Sequence, residues 1–214
     1  MKHHGAFAEY LTLPIGNLHR VPDSVSDEEA VFTEPVAAAG EILEQVEIPK
    51  GESVAVLGDG KLGLLIAQVL GARGLSVTQY GRHRAKLAIA EAAGARVHLV
   101  KQQLPAAAYD WVVEATGSAE GLNAAIRMTR PRGTLILKST THEASGIDTT
   151  SIVVNEITLV GSRCGRFAPA LGLIESKKLR LREMIHDRFP LSEAPRAFAR
   201  AAEKGVLKVL LENR

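Results

Sequence analysis

Ser53-Val54-Ala55-Val56-Leu57, Gly58-Asp59-Gly60-Lys61-Leu62-Gly63 and Leu64-Leu65-Ile66-Ala67-Gln68-Val69-Leu70 follow one another without interruption, and the 214-residue chain is read outward from them. An apolar, β-branched run predicts a buried strand, and the apolar residues after Gly63 recur at helical spacing. Between them stand glycines at G-x-G-x-x-G spacing. Gly58 suits a tight turn out of the strand, Gly60 keeps side chain away from an approaching pyrophosphate, and Gly63 lets helix pack on sheet. A helix opening at that turn offers unpaired N–H groups and the positive end of its dipole to an anion. Asp59, Lys61 and Leu62 fill the loop between the glycines and belong to the same candidate site. Glycines at this spacing also serve purely structural strand-to-helix turns, so the motif by itself leaves both readings open.

Outward from this centre, extended and helical patterns alternate. Ser76–Tyr80 predicts a strand, Arg84–Ala93 a helix, Arg96–Val100 and Trp111–Glu114 strands, and 120–128 a helix. Thr134–Lys138 and Ile157–Val160 predict two more strands. That alternation implies an α/β fold, a doubly wound parallel sheet of the Rossmann type. Upstream, Gly5–Leu13 alternates loosely and reads as a strand or two short ones. Leu18–Val21 is a further extended piece. Acids after Ser26 predict a helix start, with a break near Pro35 and a second helix over 36–46. From Leu181 to Arg214 the rhythm changes: a helix through Ala197-Phe198-Ala199 precedes a strand over 206–211.

Composition bounds the function. Hydrophobic residues make up 46% and the net charge is +2, enough apolar content for a core and no bulk charge that predicts a nucleic-acid or membrane-surface partner. The single cysteine, Cys164, excludes a disulfide within the chain and points to a reducing compartment, the cytoplasm. No apolar run approaches the length of a membrane span, and Met1-Lys2-His3-His4 lacks the apolar core of a signal peptide. His3-His4 is a weak metal candidate. His19, His98, His142 and His186 have no ligand partner at metal spacing. Cys164, without a paired cysteine or local base, reads as a small packed thiol.

Cofactor preference is argued from a missing acid. Sites for NAD place a carboxylate at the end of the second strand to hold the ribose hydroxyls, yet no acidic residue occurs from Gly60 to Ala90. The strand instead ends in Gly81-Arg82-His83-Arg84. Gly81 leaves room there, Arg82 can pair with a 2′-phosphate, and His83 or Arg84 can assist. NADP(H) is therefore expected over NAD(H). The alternative is that these bases form a solvated helix start.

Several segments in order resemble the medium-chain dehydrogenase/reductase superfamily, in its zinc-containing alcohol and polyol dehydrogenase branch. They are 5–10, Phe32-Thr33-Glu34-Pro35, 54–63, Val112-Val113-Glu114-Ala115-Thr116-Gly117, Asn155–Ser162 and 189–211. The resemblance implies a GroES-like, β-rich catalytic domain interrupted by the nucleotide-binding lobe. Residues 1–40 then correspond to the end of the catalytic domain, 41–180 to the dinucleotide-binding domain and 181–214 to the return into the catalytic domain. Most of the catalytic domain, with the family's zinc-binding Cys and Gly-His-Glu, has no counterpart here. Zinc is thus expected only in the full-length family protein, and this chain is not expected to be catalytically complete. Glu34 matches a zinc carboxylate of polyol dehydrogenases and is the one metal candidate the resemblance supplies. Ala115, Thr116 and Gly117 are implied beside the nicotinamide ribose, and Lys208 at the pyrophosphate. Asn155–Ser162 is implied as the edge strand of a homodimer, and the substrate as a small alcohol, polyol or carbonyl compound. The apolar ends should expose surface. Two further readings remain: a non-catalytic NADPH-binding or regulatory module, and a zinc-independent quinone-reductase-like member of the same superfamily.

Overall fold

A computed structural model describes residues 5–100, 103–140 and 146–213. Six parallel strands form the central sheet: β1 (Ser53–Leu57), β2 (Ser76–Gly81), β3 (Arg96–Leu99), β4 (Tyr109–Glu114), β5 (Thr129–Leu137) and β6 (Thr158–Gly161). Their spatial order is β3-β2-β1-β4-β5-β6, so β1 is central and the chain reverses direction across the sheet between β1 and β4. Ligands of open parallel sheets bind at the carboxyl ends of the strands flanking such a reversal.

Alternate residues of the strands face two different cores, as a period of two requires. Val54, Val56, Val113 and Ile136 point into the larger one. This core is built with helices α2 (Thr33–Gly40), α4 (Lys61–Ala72) and α8 (Phe167–Glu175), which supply Val36, Leu65, Ile66 and Ile174. Ala55, Leu57, Val112 and Leu135 point the other way, onto Leu122, Ala125 and Ile126 of α6 (Ala119–Met128). Both faces being covered, the central strands carry unbroken apolar runs at 54–57, 111–113 and 135–137. The short helices α1 (Asp27–Ala30) and α3 (Ile42–Gln45) flank α2. Helix α5 (Arg84–Ala92) follows β2, and α7 (Thr149–Val154) precedes β6. The last segment forms β7 (Ile185–Pro190), α9 (Ala194–Ala202) and β8 (Lys208–Glu212), with β7 and β8 paired in a separate parallel sheet.

The doubly wound sheet is as read from the sequence; its flanks need correction. Residues 5–26 form no strand among the described residues. The loose alternation there has no partner strand, and Phe7, Tyr10, Leu11, Leu13, Ile15 and Leu18 are exposed, an apolar surface at the chain's start as the resemblance implies. Pro35 does not break a helix. It is the third residue of α2, a first-turn position whose N–H would be unpaired anyway. Helices α7 and α8 were not anticipated. Cys164 is exposed rather than packed. His3, His4 and His142 lie outside the described residues. His98 stacks on Tyr80 and His19 lies against Phe167.

Candidate functional site

The glycines carry the geometry that their spacing implied. Gly58 sits at φ +124°, and a Cβ there would lie 2.4 Å from the Ala115 carbonyl oxygen, so the end of β1 presses onto the end of β4. A Cβ on Gly63 would lie 2.4 Å from the Gly58 oxygen, which fixes how close α4 comes to the turn. Gly60 is different: nothing stands within 4 Å of its Cβ position, and it is the N-cap of α4 with no side chain capping the helix. The N–H groups of that first turn thus open onto free space between two cavities, of about 320 and 390 Å³. An open, uncapped helix start at a reversal point fits a pyrophosphate.

The first cavity lies over β2 and is lined by Gly58, Asp59, Gly81, Arg82 and His83, with Glu120 and Gly121 opposite. Its polar end departs from the sequence argument. The window from Gly60 to Ala90 is free of acids, but Asp59, one residue outside it, reaches the strand end. Asp59 Oδ2 accepts the backbone N–H of Arg82 at 2.7 Å and of His83 at 2.6 Å, and lies 3.1 Å from His83 Nδ1. The room left by Gly81 is therefore filled: a Cβ there would be 2.5 Å from Asp59 Cβ and 2.7 Å from its Oδ2. The Arg82 guanidinium pairs with Glu120 at 3.2 Å. Arg84 is not brought to the cavity lining; it pairs along α5 with Glu91 at 2.5 Å. Tyr80 forms part of the wall. Burial, then its hydrogen bond to Tyr109, pushes its phenol well above the ordinary value, so it stays neutral.

The second cavity is lined by Gly60, Lys61 and Leu62 on one side and Ala115, Thr116 and Gly117 on another. Glu114, 2% exposed, holds this second loop: its Oε1 accepts Thr116 N at 2.6 Å and Thr116 Oγ1 at 2.5 Å. Gly117 N donates to Ser139 Oγ at 2.8 Å, which ties the loop to the end of β5. A Cβ on Gly121 would overlap Thr116 Oγ1 at 1.9 Å, so the start of α6 clamps the loop from behind. Two lysines that line this cavity, Lys86 and Lys138, are not among the residues singled out from the sequence. Lys86, part of the basic run after Gly81, lines it. Lys138 lines it too, with its ammonium buried on the Ala38 oxygen (2.6 Å), Ser162 Oγ (3.1 Å) and the Arg163 oxygen (3.0 Å). Burial lowers the Lys138 pKa; Glu41, Cys164 and Glu34 oppose that shift. Lys208 folds back onto the Val31 oxygen (3.0 Å) and over the Phe32 ring (4.8 Å). Its pKa is lowered by burial and by Lys61, so two lysines share one field near the α4 start.

The residues present do not fit zinc. Glu34 is exposed on α2, and among the described residues no group of three or more His, Cys, Asp or Glu gathers around a common point. A catalytic zinc takes about three protein ligands and an open position.

The family model described as the glucose dehydrogenase C-terminus matches residues 28–212. Sorbitol dehydrogenase of Halalkalibacterium halodurans is 28% identical over 97% of this chain and 65% of its own length. Sorbitol dehydrogenase of Gallus gallus is 27% identical over 97% of this chain and 63% of its own. Among solved structures, a zinc-binding dehydrogenase of Sinorhizobium meliloti bound to NADP superposes with TM-score 0.87 at 26% identity, covering 98% of this chain and 66% of that one. An alcohol dehydrogenase of Thermus sp. ATN1 gives TM-score 0.87 at 29% identity with the same coverage. The chain spans about two thirds of the length of these relatives.

Proposed function

This chain belongs to the glucose dehydrogenase C-terminus family, and we propose that it is the nicotinamide-dinucleotide-binding part of an alcohol or polyol dehydrogenase, with NADP(H) preferred over NAD(H). The observation that carries the reading is the open, uncapped start of α4 at Gly60, set between two cavities at the carboxyl end of a parallel sheet. The pyrophosphate lies on Gly60, Lys61 and Leu62, within the field of Lys208. The adenosine lies in the cavity of Gly58, Gly81 and His83, with Arg82 at its 2′-phosphate. The nicotinamide ribose lies against Ala115, Thr116 and Gly117. The Sinorhizobium relative, which is bound to NADP, supports a dinucleotide ligand for this fold.

A bound nicotinamide supplies hydride exchange between an alcohol and its carbonyl compound. What this chain contributes is position. Glu114, Ser139 and Gly121 hold the Thr116 loop in one conformation, and the walls of Tyr80 and Ala124 keep water from the adenosine. Such fixed positioning is what brings reacting groups to attack distance. No step through zinc is assigned to these residues. We read residues 41–180 as the dinucleotide-binding domain, and 1–40 and 181–214 as pieces of a catalytic domain. The compartment we infer is the cytoplasm; no helix among the described residues is long and apolar enough to cross a membrane.

Titration of the full chain with NADPH and NADH, followed by quenching of Trp111 fluorescence, tests the assignment. Tighter binding of NADPH is expected. Equal affinities, or tighter NADH, overturn the preference, and binding of neither overturns the dinucleotide site itself.

A further inference from the structure

Each donor that a 2′-phosphate would use in this chain is already held by a carboxylate of the chain itself. Two adjacent backbone N–H groups at the start of α5, with an imidazole and a guanidinium beside them, make a donor set suited to a phosphate. Here the N–H groups of Arg82 and His83 and the ring of His83 all converge on one oxygen, Asp59 Oδ2, at 2.6 to 3.1 Å. The fourth donor, the Arg82 guanidinium, meets Glu120 at 3.2 Å. Both acids line the same cavity, one from the glycine turn after β1 and one from the first turn of α6. The Asp59 side chain is 11% exposed, so its charge is little screened, whereas Glu120 is 83% exposed.

We infer that Asp59 and Glu120 are the residues that set cofactor selectivity here, acting as internal anions that compete with the 2′-phosphate of NADP(H) for Arg82 and His83. This rests on the reading of the first cavity as the adenosine end of a dinucleotide site. Binding of a 2′-phosphate exchanges internal ionic contacts for phosphate contacts. A cofactor with a 2′-hydroxyl leaves both carboxylates where they are, and Asp59 stands at the strand end where a ribose-binding acid is usually supplied by β2 itself. Selectivity for the phosphorylated cofactor is accordingly weaker than Arg82 and His83 alone would give. The inference also accounts for Gly81: it is side-chain-free because the Asp59 carboxylate occupies that volume.

Adenosine 2′,5′-bisphosphate and adenosine 5′-monophosphate differ by the group in question and serve as probes. Their affinities for the full chain are measured by calorimetry for wild type, Asp59→Asn and Glu120→Gln. Glu120→Gln, an exposed change, should raise affinity for the bisphosphate about two- to fivefold. Asp59→Asn keeps size and an acceptor oxygen and removes the charge; it should raise the ratio of the two affinities about tenfold. Affinity for the monophosphate should stay within about twofold in Glu120→Gln and fall in Asp59→Asn, which removes the carboxylate facing the 2′-hydroxyl. A ratio that is unchanged or falls in both variants overturns the inference, and a rise in one alone overturns the role of the other residue. If Asp59→Asn loses its native circular dichroism, Glu120→Gln decides. A wild-type chain that binds both probes equally overturns the NADP(H) preference and not this inference, because a rise in ratio is read from whatever value wild type has.

Discussion

At the scale of single residues, the contact between Asp59 and Gly81 governs what a cofactor swap can do. Placing an acid at the end of β2 is the substitution that sequence logic recommends for turning such a site toward NADH. In this chain Gly81→Asp drives a Cβ to 2.5 Å from Asp59 Cβ and sets two carboxylates side by side. Overpacking and like charge in a nearly buried place should cost about 2–4 kcal/mol of stability, read by urea denaturation. Asp59→Gly removes the obstacle, so the double variant Asp59→Gly/Gly81→Asp should recover more than about 1 kcal/mol relative to additivity. A Gly81→Asp protein as stable as wild type would show that the two positions do not compete. The glycine motif was legible because all its parts are local and its spacing is set by backbone geometry. The grip of Asp59 on Arg82 and His83 was not. It joins two strand ends more than twenty residues apart, and a window opened at Gly60 passes it by one position. Lys138 escaped for a related reason: its three acceptors come from α2 and from the segment after β6, and no local pattern announces them.

Among the elements, two prolines stand where the sequence pattern and the structure differ. Pro35 and Pro169 are each the third residue of their helices, α2 and α8, and Pro195 is the second of α9. At those positions proline costs no intrahelical hydrogen bond. Sequence pattern alone makes Pro35 a break, and α8 has no strong signal beyond the short apolar stripe of Ala170, Leu171 and Ile174. The start of α1 was legible, and it carries a pH dependence. Glu29 Oε2 accepts Ser26 N at 3.0 Å and Ser26 Oγ at 2.9 Å, and Lys177 Nζ after α8 donates to it at 2.7 Å. The lysine hydrogen bond first, and the Ser26 N–H second, hold the Glu29 carboxyl at about 2, below its ordinary 4.5. A lowered folded-state value means that the contribution is complete above pH 4.5 and is lost as pH falls toward 2. Glu29→Gln should therefore cost about 1 kcal/mol at pH 7, the usual size of a helix-start contact, and less than about half of that at pH 3. Urea denaturation at the two pH values checks this, and an equal cost at both would remove the ionic part of the account.

For the whole molecule, the open question of physical consequence is which face associates. Strand β6 is an edge of the central sheet, and a free edge invites pairing with another strand. Ser162 N donates inward to the Leu137 oxygen, so by alternation Leu159 turns its N–H and carbonyl outward. Of the outward groups, the Gly161 oxygen is held by Gln45 Nε2 at 3.3 Å. Val153 and Val154 on α7, just before the strand, are about three quarters exposed. Apolar surface beside an unpaired edge is what the homodimer implied by the family resemblance would need, since a two-fold contact can repeat one edge on its mate. The competing surface is the apolar stretch at residues 7–18, where Tyr10 and Ile15 are almost wholly exposed and no sheet edge is offered. Leu159→Pro separates the two. It removes an outward donor and no hydrogen bond within the sheet, a position where an edge strand tolerates proline. Sedimentation equilibrium should show a dimer for wild type and a monomer for Leu159→Pro, with NADPH affinity retained because the glycine turn after β1 lies three strands away. If the variant remains a dimer, the contact is not at β6, and the apolar stretch at residues 7–18 becomes the surface through which copies of the chain meet.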